Sequence, residues 1–397
     1  MSDDCVIVAG KRTPFGRFGG VLRDLSLPEL ASHAVRAALA EASVTGAEVE
    51  ELALGVNLPG SDRSIARQTL LCSGIPEERV AYTCDRACCS SLTAITQASR
   101  GIRLGETQIA VAGGSENMSR VPYFVEDMRW GKRLGDVHLV DQLVISCPHT
   151  GVARAVQASR EAAEYGIGRE EQDAWALRSQ TLCGKALADG RFEDEIAPLD
   201  APGRGGVVHV VRDESPRPET TLEELAALPT IYGSDSVTAG NAPGLSTGAS
   251  AVVLMSANAA RERERKPLCR LVATAMVSGH PDRIASIPAE AARRVLANAD
   301  LTLDDVDRIE INEAFAAVPL VSTWLLAGED RGRAEKLREK TNVNGGAIAI
   351  GHPTSATAAR LVMTLAGELA RRGGGTGLVT ICGGIGEAEA AILQVDA

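Results

Sequence analysis

The chain has 397 residues, 45% of them hydrophobic, with 41 Lys plus Arg against 52 Asp plus Glu and a formal charge of -11. That apolar fraction excludes disorder, and the 40 glycines keep no three-residue period, which excludes collagen. The acidic whole-chain field excludes nucleic acid and anionic lipid as general partners, so an anionic ligand needs a local site of its own.

Residues Met1 to Asp4 carry two acids and run straight into an apolar strand, so neither a secretory signal nor an Arg-rich transit peptide is expected, and the cytoplasm is the expected compartment. A first helix is predicted from Pro28-Glu29, with Pro where a first turn tolerates it, and a β-like alternation follows over 49–55. An Ala/Ser/Thr-rich helix over 90–104 then precedes a buried-strand pattern over 108–114 that ends in Gly113-Gly114. From about 119 to 241 the chain is charge-rich, punctuated by Pro and Gly at 202–206 and 216–218, with one amphipathic helix over 169–189. A stretch of that length reads as a functional insertion rather than a linker. The opening pattern then returns: a helix from Pro288-Ala289, an alternation over 306–312, a helix over 356–371 and an apolar strand over 378–384 ending in Gly383-Gly384. Two copies of one βαβα unit predict an α/β fold. No apolar run reaches the roughly 18 residues of a membrane helix, and nine cysteines without CxxC spacing predict reduced, mostly buried thiols rather than disulfides or zinc.

Four clusters could carry chemistry. In Asp85-Arg86-Ala87-Cys88-Cys89-Ser90-Ser91 a thiol precedes a helix, where unpaired backbone N–H groups would lower its pKa and make it a nucleophile near neutrality; the bland alternative is core packing. Asn344-Gly345-Gly346-Ala347 through Gly351-His352-Pro353 offers small residues for close backbone approach and a histidine able to take a thiol proton. Cys382-Gly383-Gly384-Ile385-Gly386 offers a second thiol, as acid or base, beside backbone donors for an oxyanion. Asn312-Glu313-Ala314-Phe315 is a polar pair at a strand end, or merely a helix cap. Nucleotide-loop, nucleophile-elbow and HExxH motifs are absent.

These residues resemble the thiolase family from Val6 onward. Arg12-Thr13-Pro14-Phe15-Gly16, Cys88-x-Ser90-x-x-x-Ala94, Gly113-Gly114-x-Glu116-x-Met118-Ser119, Asn312-Glu313-Ala314-Phe315, Gly351-His352-Pro353 and Cys382-x-Gly384-x-Gly386 follow the family's motifs in order. The resemblance implies a thiolase fold, two similar halves in a five-layered α-β-α-β-α core, with residues 1–118 and 245–268 as one half, 269–397 as the other and 119–244 as an inserted loop domain. It implies acyl transfer to or from CoA: thiolytic cleavage of 3-oxoacyl-CoA or the reverse Claisen condensation, in a homodimer or homotetramer, with acyl-CoA as substrate and no metal or bound cofactor. Cys88 would carry the acyl group, His352 activate it, Asn312 hold a water in an oxyanion hole with His352, and Cys382 exchange the α-proton. Backbone N–H groups of Cys88 and Gly384 would form a second hole. Met118, Pro243, Ser246, Phe315 and Ala347 would line the substrate, and Arg129, Lys132, Arg133, Arg154, Arg204, Arg212 and Arg217 form the pool expected to hold the CoA nucleotide.

The chain also departs from the family. Cys89-Ser90-Ser91 replaces Gly-Ser-Gly after the nucleophile, and Ser355-Ala356-Thr357-Ala358 replaces a Gly-x-Ser-Gly run after His352-Pro353. Pro243 replaces a serine near the pantetheine, Leu228 an arginine near the adenine, and the His-Met pair of the acyl pocket falls on Ala153-Arg154, with His149 out of register. These changes leave two other readings open: a homologue acting on a carrier-protein or unusual thioester, or a weakly catalytic lipid-binding or assembly subunit.

Overall fold

The computed structural model describes residues 4–144, 146–203 and 205–397. Continuous apolar runs make strands buried on both faces, and these fall into two runs of matching topology. In the first, Cys5–Arg12, Ser246–Ser256, Ile109–Asn117, Glu51–Gly55 and Val80–Cys84 lie side by side, the first two pairings antiparallel and the next two parallel. In the second, Cys269–Ser278, Glu387–Val395, Gly375–Cys382 and Arg308–Ile311 repeat the order antiparallel, antiparallel, parallel. A single parallel bridge from Ile309 to Thr341 stands where the fifth strand of the second half would be. Val6 and Ile7 pair with Arg270 and Cys269, joining the halves edge to edge.

The helices complete five layers. Leu27–Ala42 packs on the outside of the first half, where Ser26 and Glu29 form a capping box: Ser26 N–H donates to Glu29 Oε2 (2.7 Å) and Glu29 N–H returns to Ser26 Oγ (3.4 Å). Ile287–Asn298 covers the outside of the second half. Between the halves lie Ser90–Leu104, bounded as its composition predicts, and Thr354–Arg371, which starts two residues earlier than read from sequence. Both touch strands of both halves, and their apolar faces fill the central core with Leu92, Ile95, Leu361, Val362 and Leu365.

The central layer demands close approach. A Cβ on Gly114 would stand 1.8 Å from the Ser355 carbonyl oxygen, and one on Gly55 2.5 Å from the Ser90 carbonyl carbon. Buried Glu116 then bridges the halves: it accepts from Leu58 N–H (3.1 Å), Thr354 Oγ1 (2.5 Å) and Ser355 Oγ (2.7 Å).

Between Asn117 and Ser246 the chain leaves the sheet to form helices Arg154–Glu164 and Arg169–Ala188 and two small hairpins. Arg12, fully buried, fastens this insertion to the first strand: its guanidinium grips Asp213 at 2.6 and 2.9 Å and Glu195 at 2.7 Å. Burial works against its charge, and the two carboxylates outweigh burial and raise its pKa.

Gly114→Ala is expected to lower unfolding stability by about 3 kcal/mol, the overpacking cost of a methyl group forced against backbone. Gly332→Ala, exposed in the helix Arg331–Glu339, is expected to hold or raise stability. Urea titration of both variants compares them directly.

Candidate active site

The loop carrying Cys88 is held under strain. Ala87, immediately before it, has φ +50°, a region costly for a residue with a Cβ. Asp85 Oδ1 accepts the Ala87 N–H at 2.9 Å, and Cys88 sits in the short turn Ala87–Cys89 that leads into Ser90–Leu104. Arg86 ties this loop to the other half, donating to Glu387 Oε2 (2.7 Å) and Glu389 Oε2 (2.8 Å). Glu389 is itself buried and accepts from Thr93 and Thr96. Cys89 points inward, its thiol 3.4 Å from the Ile381 carbonyl, while Cys88 is only partly covered. Of the two adjacent thiols, Cys88 therefore faces the site.

His352 arrives from the second half. Gly351 has φ +106°, and a Cβ there would meet Ser246 Oγ at 2.8 Å. That hydroxyl accepts the His352 N–H (2.9 Å) and donates to the Gly244 carbonyl (2.7 Å), while Ser246 N–H donates to Met118 Sδ. His352 Nε2 lies 3.2 Å from Cys88 Sγ, and Nδ1 lies 2.7 Å from Thr357 Oγ1. The Thr357 hydroxyl gives its one proton to the Pro353 carbonyl (2.9 Å), so it must accept from Nδ1. The imidazole proton is thereby fixed on Nδ1, and the free lone pair of Nε2 is aimed at the thiol. Thr357, in the run that departs from the family pattern, escaped sequence reasoning; its signal is a hydroxyl retained among alanines in the helix that follows His352.

Asn312, fully buried, brings Nδ2 to 3.4 Å from His352 Nε2 and leaves Oδ1 buried without a hydrogen-bond partner. Its neighbour Glu313 does not cap the following helix. It accepts from Trp175 Nε1, Ser179 Oγ, Asn342 Nδ2 and Ile348 N–H, locking the insertion to the loop that leads to His352. Cys382 ends the strand Gly375–Cys382, buried, and the turn after it places Gly384 at φ +71°. A Cβ on Gly384 would lie 3.8 Å from both Ala87 Cβ and Arg154 Nε, so this turn faces the Cys88 loop. Met118 and Ala347 are buried, and Pro243 and Phe315 are half-buried.

The electrostatics differ from the sequence expectation of a helix-stabilised thiolate. Burial pushes the Cys88 thiol well up, Cys382 and Glu116 add to this, and Arg154 and the backbone only partly oppose it. Burial likewise raises Cys382 to about 12 and, with Arg360, lowers His352 to about 3. Desolvation therefore opposes the helix terminus, and burial favours the neutral form of both the thiol and the imidazole.

Three of the residues that depart from the family pattern, Cys89, Ser91 and Ser355, lie in the contact between halves. Ser91 Oγ accepts the Ala359 N–H (3.0 Å), Ser355 Oγ donates to Glu116, and Cys89 meets Ile381. Of the cationic pool, Arg129, Lys132, Arg133, Arg212 and Arg217 are exposed, Arg154 is half-buried beside Gly384, and Arg204 lies outside the described residues.

The family profiles described as Thiolase, N-terminal domain and Thiolase, C-terminal domain match residues 5–258 and 265–395. An acetyl-CoA acetyltransferase of Syntrophomonas wolfei is 39% identical, covering 99% of this chain and 100% of that one. A beta-ketoadipyl-CoA thiolase of Pseudomonas aeruginosa is also 39% identical over 99% of this chain and 100% of its own length. The crystal structure of human mitochondrial 3-ketoacyl-CoA thiolase superimposes with a TM-score of 0.94 at 37% identity, over 99% of each chain.

Because burial pushes the Cys88 thiol up, its alkylation by iodoacetamide is expected to climb between about pH 6 and 9 without a plateau. Peptide mass spectrometry at each pH reads this, and saturation near neutrality would reveal a resting thiolate–imidazolium pair.

Proposed function

The chain belongs to the thiolase family, and we propose that it cleaves 3-oxoacyl-CoA with CoA, or runs the reverse Claisen condensation, through an acyl group carried on Cys88. The observation that carries this reading is the 3.2 Å approach of His352 Nε2 to Cys88 Sγ, with the imidazole tautomer set by Thr357. His352 takes the thiol proton as Sγ attacks the C3 carbonyl, so charge appears only as the new bond forms. Backbone N–H groups of Cys88 and Gly384 receive the oxyanion, each such donor being worth about 3 kcal/mol. Collapse breaks the C2–C3 bond, and Cys382 gives its proton to the departing enolate carbon. The incoming CoA thiol then loses its proton to the Cys382 thiolate and attacks the acyl group on Cys88, which leaves and regains its proton from His352. Asn312, through Nδ2 and a bound water, and His352 steady the thioester oxygen while the enolate exists. The sequence uses two thiols, an imidazole and backbone donors, and calls on no metal or redox group.

Several parts of the reading rest on placement. Ser246, whose hydroxyl is committed at both ends, serves as a positioning residue for His352; Met118 and Ala347 back the site, and Pro243 and Phe315 form its rim. Arg129, Lys132, Arg133, Arg212 and Arg217 form no ion pair among the described residues, which suits them to the anionic nucleotide of CoA within an acidic chain. We read residues 1–118 with 245–268 and residues 269–397 as the two catalytic halves and 119–244 as the substrate-facing insertion. A homo-oligomer in the cytoplasm completes the proposal: Trp130 is 90% and Leu134 85% exposed, which favours cover by a second copy, and nine cysteines without CxxC spacing suit a reducing compartment. The relatives' names span acetyl and longer acyl groups, so they leave chain length open.

Brief exposure to an acyl-CoA is expected to add the acyl mass at Cys88, and Cys88→Ser to lower turnover of a 3-oxoacyl-CoA at least about a thousandfold. Labelling confined to Cys89 or Cys382, or no turnover across short, long and branched chains, would sink the assignment.

A further inference from the structure

Arg154 opens the helix Arg154–Glu164 and sits half-buried, its Nε facing Gly384 across the gap one methyl group would fill, with Ala87 on the other side of that gap. Its charge acts on both Cys88 and Cys382, opposing the rise that burial imposes on each thiol. Yet no carboxylate among the described residues lies within ion-pair distance of it. Its setting is built rather than incidental. Nη1 donates to Gln157 Oε1 at 3.1 Å, and Gln157, only 2% exposed, is held by Asp282: its Nε2 donates to Asp282 Oδ1 (2.5 Å) and contacts Thr150 Oγ1 (3.3 Å), which itself donates to Asp282 Oδ1 (2.8 Å). Asp282 thus orients the amide so that its oxygen meets Arg154, and a neutral group stands between the carboxylate and the guanidinium. Glu161, on the same helix, is spent on the N–H groups of Ile284, Ala285 and Ser286. Cys147 is the remaining anionic candidate. Burial opposes its ionisation, but Thr150, Arg154 and the backbone of His149 and Thr150 bring it down to about 6. A single diffuse sulfur charge leaves most of the five guanidinium donors unused.

We propose that Arg154 receives a carboxylate at the far end of the acyl chain, so that the substrate class is the 3-oxo-dicarboxylic acyl-CoA thioesters; this rests on the thiolase reading above. An apolar tail laid against a half-buried guanidinium strips its water and returns nothing, whereas a carboxylate restores paired, fork-shaped hydrogen bonds. The phosphates of CoA are excluded as the anion Arg154 serves, because the pantetheine arm carries them away from the C3 carbonyl that Cys88 attacks. Specificity then arises from repulsion as well as attraction: the site penalises neutral chains and rewards charged ones.

The test compares kcat/KM for matched pairs of 3-oxoacyl-CoA thioesters, six, eight and ten carbons long, one of each pair ending in a carboxylate and the other in a methyl group. Wild type is expected to favour the carboxylate member of at least one pair. In Arg154→Met that preference is expected to fall about thirtyfold or more, with the loss carried by KM, and Arg154→Lys is expected to lie between. Equal or better use of the neutral members by wild type overturns the proposal without any variant. So does an equal loss on both members in Arg154→Met, which would mark Arg154 as serving the thiols alone. Failure of every substrate, together with no acylation of Cys88 by acetyl-CoA, overturns the thiolase reading itself and this inference with it.

Discussion

Everything at the site depends on backbone from one half lying against backbone from the other at a distance that only glycine permits. Gly114 admits the Ser355 carbonyl of the other half, Gly55 admits the start of the Ser90–Leu104 helix within its own half, and Glu116 then reaches across to the hydroxyls of Thr354 and Ser355. The two central helices consequently begin side by side, and Cys88 and His352, each just ahead of its helix, meet although 264 residues separate them. A duplicated fold makes such a meeting natural, because each copy delivers an equivalent helix start to the same seam. The active site is therefore a property of the seam, and the precision of its geometry derives from packing too tight to slide.

The chemistry follows from what that packing excludes. Burial favours the neutral thiol over the thiolate at Cys88 and the neutral imidazole over its cation at His352. Thr357 and Ser246 turn this from a liability into control: one fixes which nitrogen is bare, the other fixes where the ring stands. The unmatched Oδ1 of Asn312 shows the complementary point, since a fully satisfied polar group would have little capacity left for a reacting molecule.

The α/β class and the repeat were legible because apolar periodicity returns along the chain, and the layer order followed from the family resemblance; Asn312 and Cys382 lie at strand ends as read, whereas His352 follows the short helix Ala347–Ile350. Helix bounds at Ser90–Leu104 were readable from composition alone. The desolvation that pushes the Cys88 thiol up was not, because a helix terminus is visible in sequence and burial is not. Nor was the role of Arg86, whose partners Glu387 and Glu389 stand about 300 residues away in a strand that periodicity did not single out. Ser91 and Ser355 depart from the family pattern, and their hydroxyls bind the halves together; a sequence departure does not say which way its side chain faces.

The buried grip of Arg12 on Glu195 and Asp213 has a consequence in time. Its partners are made 183 and 201 residues later, and the strand Ser246–Ser256 that flanks it later still. At about 5–20 residues per second, the first strand must wait roughly ten to forty seconds on the ribosome before its charge has anywhere to go. During that interval the amino-terminal half cannot close its core. The insertion is thus a late-arriving counter-charge, whose synthesis sets the earliest moment at which the first half becomes a folded object.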